Sequence, residues 1–135
     1  MVFKKLTDEA VIPHYQTLGS AGLDLHSIEA AVLQPGERKL FGTGLTISLP
    51  EGFEAQIRSR SGLAYKHGVA VLNSPGTIDS DYTGELKVLL INHGDSSFSV
   101  EKGDRIAQLV VAPFHQLVGF TLDNIREDGG FGSTG

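Results

Sequence analysis

The sequence predicts an all-β sandwich or barrel with one short helix. Turn signals recur along the chain, and the runs between them are short and rich in Val, Ile, Leu and Phe. Short apolar runs separated by regular turns are typical of such folds. Glycine is in excess, with 17 residues out of 135, which favours a turn-rich architecture over a helical one. The turn signals are Pro35-Gly36, Pro50-Glu51-Gly52, Pro75-Gly76, Asn92 to Asp95 and Gly103-Asp104.

Individual segments support this prediction in chain order. Phe53 to Arg58 alternates apolar and polar residues, as a half-exposed strand does. Ser61 to Gly68 has a hydroxyl at its start, helix-tolerant residues and a glycine at its end, which indicates a short helix. Residues 73–85 are predicted to form a long hairpin. Val88 to Ile91 and Leu109 to Ala112 are continuous apolar runs, expected where both faces of a strand are covered, and a chain this short covers both most easily by oligomerising.

Bulk properties narrow the class of protein. A length of 135 residues fits one domain with a proper core. The net charge of −5 leaves no basic field for a nucleic-acid polymer. Cysteine is absent, which removes disulfides and thiolate metal sites and suits a reducing compartment. No stretch has the length of a signal peptide core or of a membrane span, so we expect a cytoplasmic protein without membrane contact.

Several familiar site patterns are missing or misplaced. There is no P-loop and no nucleophile elbow. Gly130, Gly132 and Gly135 match a dinucleotide-binding glycine pattern, but that motif needs a helix after it and the sequence stops there. The five histidines lack the spacing of a zinc site, and we interpret them as ordinary surface or core residues. They are His14, His26, His67, His93 and His115.

Three stretches carry more polar chemistry than turns require. Asp24 lies between apolar neighbours, where an acid needs a cation or hydrogen bonds. Arg58 and Arg60 lie just before a Ser-Gly turn that leads into the predicted helix, a combination that suits phosphate. The segment 73–85 has two acids, Asp79 and Asp81. Each stretch alone has a structural explanation, as a salt bridge, a solvated strand face or a turn. Together with Arg126, Ser133 and Thr134 they indicate a site for a metal-bound polyphosphate.

Five stretches in order resemble the motifs of the trimeric deoxyuridine triphosphate nucleotidohydrolases, the dUTPase family. They are AGLDLH (21–26), RSRSGLA (58–64), NSPGTIDSDYTGE (73–85), GDRIAQLV (103–110) and REDGGFGSTG (126–135). In the last stretch Glu127-Asp128 stands where the family usually has glycine soon after the arginine.

The resemblance implies a jelly-roll-like subunit, a homotrimer and active sites shared between chains. It implies a domain over 1–121 and a flexible arm over 122–135 that closes over an active site. It also implies Mg2+ as the cofactor and dUTP as the substrate, hydrolysed by water to dUMP and pyrophosphate. This reaction would limit uracil incorporation into DNA and supply dUMP for thymidylate synthesis.

The resemblance also implies roles for individual residues. Asp79 would be the general base, Asp24 would meet Mg2+ through water, and Tyr82 would pack beneath the deoxyribose and exclude a 2'-hydroxyl. The uracil edge would be read by Asn73 and by the backbone of Gly76, Thr77 and Ile78. Phosphate contacts would come from Arg60, Ser61, Gly62 and Gln108. The closing arm would supply Arg126, Phe131, Ser133 and Thr134, with Phe131 stacked on the uracil. Lys87 and Gly132 complete the implied substrate-binding set.

The glycine-rich end, Asp128 to Gly135, allows a test by magnitude. Ordering eight residues costs roughly 8 kcal/mol, whereas one stacked base returns about 1–3 kcal/mol. Stacking together with several phosphate contacts is needed to balance that cost. We therefore expect this segment to order on a triphosphate and to release the products.

Two alternative functions stay open at this point. A deoxycytidine triphosphate deaminase has a related fold and acts on the same kind of nucleotide, but its relatives lack the Phe-bearing end segment. A non-catalytic trimer that senses a nucleotide is the alternative from another class.

Overall fold

The computed structural model describes residues 1–119, and all structural statements below concern that part of the chain. It contains eleven strands and one helix, which confirms the all-β prediction. The strands are β1 Val2–Lys5, β2 Gly22–His26, β3 Ala31–Leu33, β4 Arg38–Gly42, β5 Leu45–Ser48, β6 Phe53–Arg58, β7 Val69–Val71, β8 Gly76–Ile78, β9 Lys87–Asn92, β10 Phe98–Val100 and β11 Arg105–Pro113, with helix α1 Ser61–His67 between β6 and β7.

The strands form two larger sheets and two strand pairs, all antiparallel. The four-stranded sheet has the order β2-β11-β6-β8, and the three-stranded sheet has the order β4-β9-β7. The remaining pairs are β1-β5 and β10-β3. A single apolar core is enclosed, and its largest fully buried side chains include Phe41, Leu25 and Leu90. This is the jelly-roll-like arrangement that the resemblance implied.

Strand β6 confirms the alternation seen in the sequence. Ala55 and Ile57 are buried, whereas Glu54 and Gln56 are only half-buried and Arg58 is exposed. The pattern places the small and branched apolar residues on the core face, where β11 and β8 flank the strand. Strand β6 therefore presents its polar residues on the outer face of the four-stranded sheet, which becomes important for the site.

The predicted short helix is also confirmed. Gly68 ends α1 in the left-handed conformation, with φ at 69°, and its amide donates to the carbonyl of Ala64 at 3.0 Å. An L side chain rarely adopts this backbone, so glycine is the expected residue at this position. Lys66 and His67 in the last turn lie where cations favour the helix dipole.

Two segments differ from the sequence-based expectation. The predicted hairpin over 73–85 is wrong, because β8 pairs with β6 while the next strand, β9, pairs with β4 and β7 in the other sheet. In β9, Val88 and Leu90 are buried but Leu89 and Ile91 are only half-buried. The chain alone therefore covers one face of this apolar run better than the other, and covering by another chain stays a prediction.

No helix in residues 1–119 is long and apolar enough to cross a membrane.

Candidate functional site

A row of polar residues crosses the outer face of the four-stranded sheet. Gln108 on β11 is the register partner of both Asp24 on β2 and Arg58 on β6. Paired residues in adjacent strands point to the same face, so the three side chains lie side by side. The residues next to them in sequence point into the core and are buried, namely Leu23, Ile57 and Leu109.

Asp24 is held by two arginines. Its Oδ2 lies 3.5 Å from Nη1 of Arg105, and its Oδ1 lies 4.0 Å from Nε of Arg60. Only 19% of the acidic side chain is exposed, compared with 27% of Arg60 and 51% of Arg105. Arg60 is further fixed because its Nη1 donates to the carbonyl of Arg105 at 2.9 Å. The cluster has two cations and one anion, and this excess of positive charge suits phosphate.

The turn between β6 and α1 is tied to two other elements, β11 and β7. Gln108 donates from Nε2 to the carbonyl of Ser59 at 3.0 Å, and the amide of Val71 donates to the Ser59 hydroxyl at 2.9 Å. The first helical hydrogen bond runs from the Ala64 amide to the Arg60 carbonyl, so the amides of Ser61 and Gly62 precede the helical ladder. Both residues are exposed. The turn thus offers a hydroxyl and backbone amides next to Arg60, as the sequence predicted.

Gly22 makes room for Gln108. A Cβ atom placed at Gly22 would overlap Oε1 of Gln108, so any larger residue would displace this side chain. The glycine of the AGLDLH stretch therefore supports the position of Gln108, one strand away, and through it the Ser59 carbonyl.

His26 adjoins the same cluster at the end of β2. Its Nδ1 is buried and has no hydrogen-bond partner among residues 1–119. Burial lowers the pKa of His26 below its ordinary value, because the charged imidazolium loses solvation, and the nearby Asp24 carboxylate opposes this effect. A neutral imidazole adds no further positive charge to the cluster.

A second group of predicted residues follows β7 along the chain. Asn73 lies against Gly76, since a Cβ at that glycine would come within 3.4 Å of the Asn73 Nδ2. Gly76 is buried, Thr77 is exposed and Ile78 is half-buried, and all three belong to β8. This arrangement places an amide side chain next to a short strand that, among residues 1–119, has a backbone partner on one side only, β6.

Asp79 and Tyr82 occupy the segment after β8. The amide of Tyr82 donates to the carbonyl of Asp79 at 3.1 Å, and the Tyr82 hydroxyl donates to the carbonyl of Glu85 at 2.8 Å. The Asp79 side chain is exposed, and 42% of Tyr82 is exposed. Lys87 is the exposed first residue of β9, where it pairs with Gly42 in the three-stranded sheet.

One chain does not bring the two groups together. Asp24 is level with Arg58 across the four-stranded sheet, whereas Asp79 follows Ile78, the partner of Ala55, and so lies level with Glu54. Four strand residues separate these levels, which corresponds to roughly 13 Å along the strands. Strands β2 and β8 are the two edges of the sheet, roughly 14 Å apart at ordinary strand spacing. Asp79 therefore cannot act on a group bound beside Asp24 of the same chain.

Sequence reasoning did not single out Arg105 as a site residue. The structure places its guanidinium beside Asp24, although 81 positions separate the two residues in the chain. A signal was available, since a half-buried acid needs a cation and Arg105 lies within the GDRIAQLV stretch. Five predicted site residues lie outside the described part of the chain: Arg126, Phe131, Gly132, Ser133 and Thr134.

The donors present fit a magnesium ion held largely by its substrate. Within residues 1–119 there is no group of three or more His, Cys, Asp or Glu residues that could form a protein cage for a metal. Asp24 supplies one carboxylate beside Arg60 and the turn before α1. Mg2+ commonly binds in this way, through one or two carboxylates, several waters and substrate phosphates.

Fold and site together define an all-β protein with a turn whose groups suit a polyphosphate. The dUTPase family model matches residues 8–135, and the chain belongs to this family. It is 60% identical over 136 residues to the deoxyuridine 5'-triphosphate nucleotidohydrolase of Nautilia profundicola, covering 98% of this chain and 96% of the relative. The enzyme of the same name from Clostridioides difficile is 55% identical over 136 residues, with coverages of 98% and 95%.

Solved structures agree with this assignment. The dUTPase of Staphylococcus bacteriophage 80alpha with dUpNHpp superposes with a TM-score of 0.86 at 28% identity, covering 99% of this chain and 97% of that one. The D95N dUTPase of phage phi11 of S. aureus, described with a structural Mg(II) ion, has a TM-score of 0.84 at 24% identity, with coverages of 91% and 96%. At that identity the likeness to the phi11 protein concerns the fold.

Proposed function

We propose that this protein hydrolyses dUTP to dUMP and pyrophosphate. The observation that carries the proposal is the 60% identity to a deoxyuridine 5'-triphosphate nucleotidohydrolase over 98% of the chain. The cluster of Asp24, Arg60 and Arg105 beside the Ser61 turn supports it, because these groups suit a triphosphate.

The phosphates are bound at the turn before α1. Arg60 supplies a guanidinium, Ser61 a hydroxyl, and Gly62 a backbone amide. Within the described part of the chain, no atom lies within 4 Å of a Cβ placed at Gly62, so a ligand can approach this amide. Gln108 supports the turn from below through the Ser59 carbonyl. Asp24 is the residue that would hold Mg2+ through water, and the ion, when bound, neutralises charge on the phosphate oxygens.

The nucleoside is bound by the second group. Asn73 and the unpaired edge of β8 read the uracil by hydrogen bonds, and a site of this kind rejects other bases because its polar groups would be left unpaired. The Tyr82 ring lies beneath the deoxyribose, where a 2'-hydroxyl would collide with it. Lys87 belongs to the proposed substrate-binding set, but it lies outside this group of residues, in the three-stranded sheet.

Asp79 acts as the general base. Its exposed carboxylate accepts a proton from water, whose oxygen attacks the α-phosphorus. The bond between the α-phosphorus and the bridging oxygen to the β-phosphorus breaks, and pyrophosphate leaves. A neutral water is the expected nucleophile, because an anionic one would be repelled by the triphosphate.

A homotrimer with shared sites accounts for the distance between the two groups. Because Asp79 and Asp24 lie at opposite edges and different levels of one sheet, a complete site requires Asp79 of one chain and Asp24 of another. The half-buried apolar residues Leu89, Ile91 and Val110 offer surface for such contacts. The division into a domain over 1–121 and a closing arm over 122–135, and a cytoplasmic location, belong to the same proposal.

The experiment is 31P NMR of the purified protein with Mg2+ and, in turn, dUTP, dTTP, dCTP and UTP. We expect pyrophosphate from dUTP alone, which would establish the reaction, the base preference and the exclusion of the 2'-hydroxyl together. Ammonia release from dCTP would instead identify a deaminase. No pyrophosphate from any nucleotide, with a folded trimer, would refute the proposal in favour of nucleotide sensing.

A further inference from the structure

The connection between β4 and β5 is hydrogen-bonded to Glu85 and Leu86, which follow Tyr82 in the chain. The Thr43 amide and hydroxyl both donate to the carbonyl of Leu86, at 3.2 and 2.6 Å. The Leu86 amide donates to the carbonyl of Leu45 at 2.8 Å. The Gly44 amide donates to Oε2 of Glu85 at 3.1 Å. Thr43 and Leu86 are fully buried, so these hydrogen bonds are shielded from water. We call the residues 42–44 and 85–86 the glycine clamp.

Both glycines of this clamp lie against the Glu85 carboxylate. A Cβ at Gly42 would lie 2.6 Å from Oε2 of Glu85, so only glycine leaves the carboxylate where it is. Gly44 has φ at 70°, a conformation that an L side chain rarely adopts, and it is this backbone that presents its amide to Glu85. Both features bear on one acid that the motif-derived roles do not include.

The glycine clamp is connected to the Tyr82 ring through Glu85. The Tyr82 hydroxyl donates to the backbone carbonyl of Glu85, the residue whose side chain the clamp holds. The ring also lies against Gly84, where a Cβ would come within 2.5 Å of the Tyr82 hydroxyl oxygen and 2.8 Å of Cζ. With 42% of the residue exposed, this hydrogen bond and this close approach are two contacts that hold the ring.

We propose that Glu85 is a positioning residue for sugar discrimination: its carboxylate, held by the Gly44 amide, fixes the carbonyl that holds the Tyr82 ring. The inference rests on the proposed function, in which this ring excludes a 2'-hydroxyl. Exclusion by contact requires the ring to be held within roughly 0.5 Å, because a ring that gives way admits the larger sugar. Glu85 acts through Tyr82 and does not touch the substrate.

The effect of releasing the carboxylate is therefore selective. Glu85→Ala should lower the ratio of kcat/KM for dUTP over UTP by about tenfold, a change expected when a group fixing a contact is lost. Glu85→Gln retains an oxygen acceptor for the Gly44 amide and should keep a ratio close to that of the wild type. Gly42→Ala leaves Glu85 in place but displaces its carboxylate, and should lower the ratio as Glu85→Ala does.

Two controls separate positioning from general destabilisation. Glu29→Ala removes a partly exposed acid whose partner is Lys39, at 2.7 Å, and should leave the ratio unchanged. Val100→Ala removes buried apolar atoms in β10, a strand paired with β3, and should lower the melting temperature without changing the ratio. Steady-state kinetics with dUTP and UTP, and a thermal melt, are measured for every variant.

The outcomes are distinct. A wild type that does not hydrolyse dUTP refutes the proposed function itself. A wild type that prefers dUTP, with Tyr82→Ala abolishing the preference, supports the proposed function and makes the Glu85 test decisive. Glu85→Ala or Gly42→Ala with an unchanged ratio overturns the positioning role, as does a Glu85→Gln ratio as low as that of Glu85→Ala. If Glu85→Ala does not fold, the ratio of Gly42→Ala decides.

Discussion

Replacing Asp24 by asparagine tests the charge balance of the proposed phosphate site. The substitution keeps the shape of the side chain and removes one negative charge from beside two guanidinium groups, at 3.5 and 4.0 Å. Partly exposed ion pairs contribute about 0.2–1 kcal/mol each, and the half-exposed Arg105 falls at the lower end of that range. We therefore expect the free energy of unfolding to decrease by about 1 kcal/mol, which lowers the melting temperature by about 4 °C for a chain of this size.

Ligand binding should change in the opposite direction when metal is absent. Without Mg2+, the loss of the carboxylate leaves Arg60 and Arg105 free for the phosphates, and binding of a triphosphate should tighten by about 1 kcal/mol, or roughly fivefold. With Mg2+, the variant should gain less from the ion than the wild type does, because the carboxylate that meets it is gone.

The assay is isothermal titration calorimetry with dUpNHpp, in which an NH group replaces a bridging oxygen, performed in EDTA and in Mg2+. Asp95→Asn, on the exposed turn after β9, is the matched control and should behave as the wild type. If Mg2+ strengthens binding by the same factor in Asp24→Asn and in the wild type, Asp24 does not meet the ion, and its role is limited to the two ion pairs.

Four further predictions follow from the same structure and sequence. Asp79→Asn should retain dUpNHpp binding and lower the rate of pyrophosphate release by about 10² or more; loss of binding with an unchanged rate would contradict the base role. Deleting 129–135 should abolish most turnover while leaving the thermal melt almost unchanged, and surviving turnover would refute the closing arm. Asn92→Ala should lower the free energy of unfolding by about 2–4 kcal/mol in denaturant titration, because Asn92 is fully buried and bonds Leu33, Ser96 and Gly94; a loss below about 1 kcal/mol would show that water replaces these bonds. Burial lowers the pKa of His26, so below about pH 6.5 the unfolded chain binds more protons than the folded chain, and the free energy of unfolding should decrease as the pH is lowered. Thermal melts in EDTA should show a weaker pH dependence of the melting temperature for His26→Gln than for the wild type. An equal pH dependence in both proteins would assign the effect to other groups.

Local features of the fold could be predicted because they depend on near neighbours in sequence. The alternation in β6 assigns Ala55 and Ile57 to the core whichever strands flank them. Gly36, Gly52 and Gly103 all have positive φ at predicted turns, since glycine alone reaches that conformation without strain. The grouping of a guanidinium, a hydroxyl and backbone amides at the turn before α1 was predictable for the same reason, because Arg60 and Ser61 are consecutive.

The sequence by itself thus determined the turns, the faces of the strands, the short helix and the family motifs. The tertiary structure decided which strands are neighbours, and alternation carries no information about that, since it reports burial and not the identity of a partner. For this reason the hairpin over 73–85 was wrong. The contacts of Asp24 with Arg105 and of Gly44 with Glu85 were not predicted either, because these partners lie 81 and 41 positions apart in the chain. Only the folded sheet places Asp24 and Asp79 at opposite edges, and this separation is what supports the proposal of a site shared between chains.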